Sequence, residues 1–354
     1  MTKKPLNLAK LIRRTIFYLL ITTLAVIIVL PVFFLVSLSF LSTREAYQYP
    51  LPLLPSLKAN YSLTHGERGY MLSVYDNFDR EYQTVLDTND LEKMSVYMRS
   101  QIGAPTSILR LEEEINRLES GAEDPVYFQS RKNLLLNYNT FFKITRDAVP
   151  ALVRSLQISA LTITISLSVG GMAGYAFARY LFAGRDALKF SVLFVRMFPG
   201  VAIALPMVII LANMGFYDRP IGLSLVYSVG SIALTVWITA SIFMGIPVSL
   251  EEAAQVFGAT KGQAFLRITL PLALPGLAAA AMYAFLGAWN ETVSAIILTQ
   301  FNPTFSVVVY QSLLGSVGQV NLAAAGGLVM ALPTVIFTLF IRRYIQQMWG
   351  GMTI

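Results

Sequence analysis

Groups able to do chemistry are few in this 354-residue sequence, and they are widely spaced. There is no cysteine, which excludes disulfide and thiol chemistry. The single histidine, His65, has no second histidine with which to share a metal. No G-x-x-x-x-G-K-[ST] phosphate loop is present, and no cluster of His, Cys or carboxylates points to a metal or a catalytic constellation. What remains is a carboxylate in an apolar setting. Glu291 sits in the apolar run 272–298, beside Trp289 and Asn290. A charge inside a membrane span is costly and usually faces a bundle interior or a wet cavity. A stacking plane, an amide and an acceptor are the groups that bind sugar rings and hydroxyls. A second physical reading pairs Glu291 with Arg196, a cation in another apolar run, so that the two hold a bundle together. Arg196 can also snorkel to an interface.

The elements that must position these residues are membrane helices. The chain is 55% hydrophobic and only 13% charged, with a mean hydropathy of +0.59, which places it in the membrane class. Residues 15–41 form a first uncharged run after a basic N-terminus holding Lys3, Lys4, Lys10, Arg13 and Arg14. About 20 residues suffice to cross hydrocarbon, so this run predicts a transmembrane helix. A signal peptide also has a basic start and an apolar stretch, but this stretch is long for a signal core and lacks a convincing small-residue cleavage site. Further spans are expected near 152–177, 190–214, 222–244, 272–298 and 322–340. The third is interrupted by Pro199-Gly200 and Pro206, a hinge or a packing kink. Gly170 and Gly174, four apart, permit close helix contact within this chain or with a partner. The loop 301–321 carries no charge.

Between the first two spans the composition changes. Residues 44–147 hold 12 basic and 15 acidic residues, a net of −3, while the rest of the chain is strongly basic. Asn89 with Glu92 resembles a capping box. Leu91, Met94, Met98 and Ile102 share one helical face up to Gly103. Ile108, Leu111, Ile115 and Leu118 repeat at helical spacing and stop before Gly121, as in a helix packed on another helix. Asp124-Pro125 reads as another helix start. These signals predict a small helical insertion over 44–147. In the short loops, basic residues gather at the N-terminus, after span two, around 261–267 and after span six, and the positive-inside rule puts both termini in the cytoplasm and the insertion outside.

The stretch Glu252 to Pro271 lies on the cytoplasmic side in this topology. It predicts two short helices with a bend: Ala253 and Ala254 favour helix, Gly258 serves as the stop, a second helix runs from about Thr260 to Ile268, and Pro271 begins the next apolar segment. Such a helix–turn–helix suits docking into a groove on a soluble partner. Glu252 taken alone is also an N-terminal helix charge favoured by the macrodipole.

Glu252, Ala253, Ala254, Gly258, Ile268, Leu270 and Pro271 stand at the spacing of the EAA loop, and the chain resembles the permease subunits of binding-protein-dependent ABC importers. The segments YAFARYLFAGRDAL, RMFPGVAIALP, LEEAAQVFGAT and FLGAWNET are similar to the carbohydrate importers, in particular the maltose-type second permease subunit. The likeness covers about 134–354 and, loosely, the first span, but not 48–133. It implies an all-α integral membrane protein with six transmembrane helices of the permease core. Four regions are expected: 1–43 as N-terminus and first helix, 44–147 as the insertion, 148–345 as helices two to six with the loop at 246–271, and 346–354 as a cytoplasmic tail, shorter than is usual in the family. The loop helix around Leu250 to Phe257 is implied to sit in a cleft of an ATPase subunit, with Glu252 pairing a cation there, Gly258 allowing the turn and Pro271 locking the exit. Implied partners are a second homologous permease subunit, two cytoplasmic ATPase subunits holding ATP and Mg, an extracytoplasmic solute-binding protein, a carbohydrate and membrane lipid, without nucleic acid. The chain itself is implied to carry no cofactor and no enzymatic activity, in the plasma membrane of a bacterium or archaeon. In the maltose-type pair the other permease makes most sugar contacts, so Trp289, Asn290, Glu291 and Arg196 stay open between sugar contact and a structural or gating role.

Three rival readings remain. One is the same machine carrying a polyol or glycerol phosphate. Another is a membrane sensor with a ligand-binding ectodomain, against which the 252–271 stretch argues. A secondary transporter is weakened by the lack of an internal repeat or proton relay.

Overall fold

The structure, a computed structural model, describes residues 8–121, 123–145, 147–314 and 319–350. Lys3 and Lys4 of the basic N-terminus and residues 351–354 of the expected tail lie outside the described residues. The chain divides into two compact units, Met1–Ile144 with Gly315–Leu328, and Thr145–Leu314 with Val329–Ile354.

In the first unit, the apolar helix Leu8–Phe40 leaves its hydrocarbon-like side chains exposed over most of its length. Its C-terminal end is held by Asn137, whose amide donates to the carbonyls of Ser39 and Leu41, each at 2.8 Å. The expectation of an all-α chain with a helical insertion is corrected by residues 58–131. They hold a four-stranded antiparallel sheet, β1 (Lys58–Gly66), β2 (Gly69–Asp76), β3 (Glu81–Thr88) and β4 (Val126–Arg131), in the order β3-β2-β1-β4. The physical cause is a period of two: Ala59, Tyr61 and Leu63 of β1 and Val126 and Phe128 of β4 alternate inward. Gly66 and Gly69 pair across a two-residue β1–β2 turn. Asp124-Pro125 leads into β4, not into a helix.

The helical faces are real but pack on that sheet. Leu91–Tyr97 is capped by Asp90, not Asn89, and the Asp90 side chain accepts from the Glu92 and Lys93 amides. The helix continues through a π turn to Ile102, and Gly103 closes it in the left-handed region. Met94, Met98 and Ile102, together with Leu111, Ile115 and Leu118 of helix Ile108–Glu119, form one core with Tyr61, Leu63, Leu72 and Phe128.

The second unit is a helical bundle. Among the described residues of both units, Ile12–Phe40, Ala148–Arg179, Pro220–Gly245, Lys261–Trp289 and Val320–Tyr344 are long and apolar enough to cross a membrane. Arg185–Val195 and Gly200–Asn213 make a sixth only if taken together, because they meet at 87° across the Pro199-Gly200 break. Pro220–Gly245 is central, packed against Ala148–Ile165, Gly171–Arg179 and Leu270–Trp289. Small residues set those approaches: a Cβ on Gly174 would strike the Thr239 hydroxyl, and one on Gly276 the Ile242 side chain. The close contact that Gly170 and Gly174 allow is therefore made inside the chain.

Two other boundaries differ from expectation. The fifth span stops at Trp289, and a separate helix, Val293–Leu298, starts after Thr292. Glu291 Oε1 accepts from the Ser294 amide at 2.8 Å, so a side chain satisfies backbone N–H at this restart. Within the uncharged loop 301–321 lies the ten-residue helix Phe305–Leu314, which buries Phe305, Val307 and Val308.

Candidate functional site

The stretch with the fixed spacing folds into a helix that stands clear of the bundle on one face. Pro247 opens the helix Val248–Val256, and Gly258, at φ +89°, turns the chain after it. That backbone region favours glycine. Thr260 then caps the next helix in a capping box with Gln263. The second helix is not separate from the fifth span: Lys261–Ala264 runs through a π turn, Phe265–Thr269, directly into Leu270–Trp289. The π turn ends two residues before Pro271, which lacks an N–H for the regular ladder. Glu252, Ala253, Gly258 and Pro271 are exposed, and Ala254, Ile268 and Leu270 are half-buried. Val256 is 84% and Phe257 91% exposed, a pair of large apolar side chains presented at the tip.

The inward face carries chemistry that the motif does not name. Glu251, next to Glu252, is buried. Its Oε1 accepts from Arg179 Nε at 2.8 Å and from the Thr269 hydroxyl at 2.7 Å. Its Oε2 accepts from the Tyr175 hydroxyl at 2.8 Å. Burial pushes this carboxyl up, but the hydrogen bonds from Thr269, Tyr175 and Arg179, with the Arg179 charge, more than reverse it and hold the carboxyl below the usual range. Arg179 Nη1 also donates to the Phe243 carbonyl at 2.8 Å. In the sequence Arg179 reads only as a basic flank of span two. The available signal for Glu251 was the doubled glutamate, of which one lies on the inner face of a short helix.

The candidate pathway residues separate. Arg196 and Glu291 line one cavity of about 600 Å³, with Tyr227, Ser231, Tyr283 and Ser294. Among the described residues they form no ion pair with each other. Arg196 lies 5.7 Å from the centre of the Tyr283 ring, and Glu291 caps the Val293–Leu298 restart. Trp289 is not beside them. It is buried, stacks on Phe285 with ring centres 5.6 Å apart, and donates from Nε1 to the Met330 carbonyl at 3.0 Å. Asn290 is exposed at the helix end. The three consecutive residues point apart because the helix ends between them.

Over its second half the chain is similar to known proteins. The family model described as binding-protein-dependent transport system inner membrane component matches residues 159–349. The trehalose transport system permease protein SugB of Mycobacterium tuberculosis is 35% identical over 212 residues, covering 57% of this chain and 75% of that protein. The trehalose/maltose transport system permease protein MalG of Thermococcus litoralis is 29% identical over 235 residues, 64% of this chain and 84% of that protein. The maltose/maltodextrin transport system permease protein MalG of Vibrio vulnificus is 32% identical over 206 residues, 56% of this chain and 69% of that protein.

Proposed function

Because the chain belongs to the family of binding-protein-dependent transport system inner membrane components, we propose that it is the permease of an ATP-driven importer whose cargo is an oligosaccharide or a disaccharide of the maltose, maltodextrin or trehalose kind. The observation that carries the docking half of this reading is the loop helix Val248–Val256 with Val256 and Phe257 exposed at its tip. Large apolar side chains exposed at the end of a loop helix mark a surface that a partner covers. The partner is an ATPase subunit holding ATP and Mg, because the chain has no phosphate loop of its own. Two such subunits serve this permease and a second, related one, and an extracytoplasmic protein delivers the sugar.

In this reading the loop helix and both termini are cytoplasmic, and residues 44–147 face outside. The membrane is the plasma membrane of a bacterium or archaeon. Nucleotide binding closes the ATPase pair, displaces the loop helix and shifts the permeases between inward- and outward-facing packings, a population shift driven by differential nucleotide affinity. The cavity holding Arg196, Tyr227, Tyr283 and Glu291 lies on the cargo's path. Its aromatic rings and its charged and hydroxyl groups suit a polyhydroxylated cargo.

The test is reconstitution. Chain, companion permease, ATPase subunits and binding protein are placed in proteoliposomes, and uptake of labelled trehalose, maltose, maltotriose and glycerol phosphate is measured with and without ATP. ATP-dependent uptake of one of the sugars is expected. Uptake of glycerol phosphate alone would overturn the sugar assignment, and absence of any ATP-dependent uptake would overturn the importer reading.

A further inference from the structure

Two adjacent glutamates on the loop helix face opposite ways. Glu252 is exposed. The Glu251 side chain is 9% exposed and that of its ion-pair partner Arg179 is 6% exposed. Three membrane helices converge on this pair. Tyr175 and Arg179 close the helix Gly171–Arg179. Phe243, whose carbonyl takes Arg179 Nη1, lies in the last turn of Pro220–Gly245, where a cation is favoured by the helix dipole. Thr269 ends the π turn that opens Leu270–Trp289.

The loop helix has little other polar hold on the bundle. Among the described residues, its remaining side-chain hydrogen bond, Gln255 Nε2 to the Glu251 carbonyl, stays within the helix. Apolar contacts near its root slide at small cost, whereas stripping a buried, ionised carboxylate of three donors is expensive. Pulling the loop helix from its seat would do that, so a displacement of the helix instead carries the ends of the three spans with it.

We propose that the Glu251–Arg179 pair is a positioning element that makes the loop helix and these three helices move as one body, converting movement of the loop helix into movement of the pathway. The inference rests on the reading that the loop helix seats on an ATPase subunit. Glu252 and the exposed tip belong to that seat, and Glu251 and Arg179 to the transmission behind it.

The test uses the assembled transporter in proteoliposomes with Glu251→Gln, Arg179→Gln and the double variant Glu251→Cys with Arg179→Cys, made in a chain that has no native cysteine. Three quantities are read: ATPase subunit co-purified per permease, Tm, and cargo imported per ATP hydrolysed. Co-purification is expected to be unchanged while cargo per ATP falls about tenfold, the size of a typical coupling between sites. A short bifunctional thiol reagent bridging the two cysteines should restore import to within about twofold of the unmutated chain, well inside that coupling range. Unchanged cargo per ATP in both glutamine variants would overturn the proposal. So would a bridge that blocks import, since the pair would then have to open during the cycle. Loss of co-purified ATPase in Glu251→Gln would also overturn it, by moving Glu251 into the docking surface. Failure of the unmutated chain to retain an ATPase subunit is a different result, and it counts against the proposed function itself.

Discussion

Replacing Gly174 by alanine probes the packing on which the bundle depends. A Cβ there would strike the Thr239 hydroxyl and lie 2.9 Å from the backbone nitrogen of Ala240. The hydroxyl can rotate; the backbone nitrogen cannot. Helix Gly171–Arg179 must therefore move away from Pro220–Gly245, and forcing a methyl into a packed interface costs about 1–3 kcal/mol. Gly171 lies three residues earlier on the same helix, and a Cβ there meets nothing within 4 Å. Gly171→Ala should be neutral or stabilise by about 0.5–1 kcal/mol, because it removes glycine from a helix interior. For a unit of this size 1 kcal/mol corresponds to about 2–4 °C in Tm, so the two variants, about 1–4 kcal/mol apart, should differ by roughly 2–16 °C. Thermal unfolding in lipid nanodiscs, followed by tryptophan fluorescence, measures the difference. Equal Tm values for the two variants would refute the close approach of these helices at Gly174 and, with it, the geometry that brings Arg179 beneath the loop helix.

Gly258→Val places a β-branched residue at φ +89° and should cost about 1–2 kcal/mol at the turn behind the loop helix; a fall in cargo-stimulated ATPase activity with normal membrane insertion is the expected readout. In the insertion, Lys132 Nζ lies 2.7 Å from Glu45 Oε1. Burial pushes the Glu45 carboxyl up, but Lys132, Ser56 and Ser42 more than reverse it, so its folded value lies below the unfolded one. The stabilisation is present at neutral pH and is lost as pH falls below about 4.3 through the folded value, a loss that hydrogen exchange over 42–60 and 126–133 should register on acidification and that Glu45→Gln should abolish. Lys58, the first residue of β1, and Arg131, the last of β4, are cross-strand partners, so their Cα atoms are only about 5 Å apart and a short Gly/Ser linker can replace residues 58–131. If the insertion widens the platform for the extracytoplasmic binding protein, that replacement should raise the binding-protein concentration needed for half-maximal ATPase stimulation, and an unchanged curve would exclude the role.

Much of the fold was legible because membrane helices announce themselves by length: an uncharged run of more than about 20 residues has few alternatives. The loop at 252–271 was legible because its positions are fixed by backbone needs, a glycine at positive φ and a proline at a helix entry. The sheet was missed although its alternation is plain in Ala59, Tyr61 and Leu63, because the helical spacing of Leu111, Ile115 and Leu118 next to it was the stronger periodic signal. Those residues do form a helix, but one face of a helix does not say whether it covers another helix or a sheet. The break after Trp289 was hidden because hydropathy continues through Val293–Leu298, while the carboxylate that restarts the helix counted only as a charge in a span. Glu251 and Arg179 were out of reach for a different reason. They are 72 residues apart, and their meeting depends on a helix approach set by Gly170 and Gly174, which spacing along the chain does not reveal.

An ATPase subunit is proposed to dock on the loop helix. Single cysteines at Val256→Cys and Phe257→Cys test it directly in a chain with no cysteine of its own. With a photoreactive thiol reagent attached, each should cross-link to a co-expressed ATPase subunit, while Leu109→Cys, also well exposed but in the insertion, should not. Cross-linking from both loop positions and none from 109 is the predicted result; no ATPase adduct from either loop position in membranes that hold the assembled transporter would rule out docking on the loop helix.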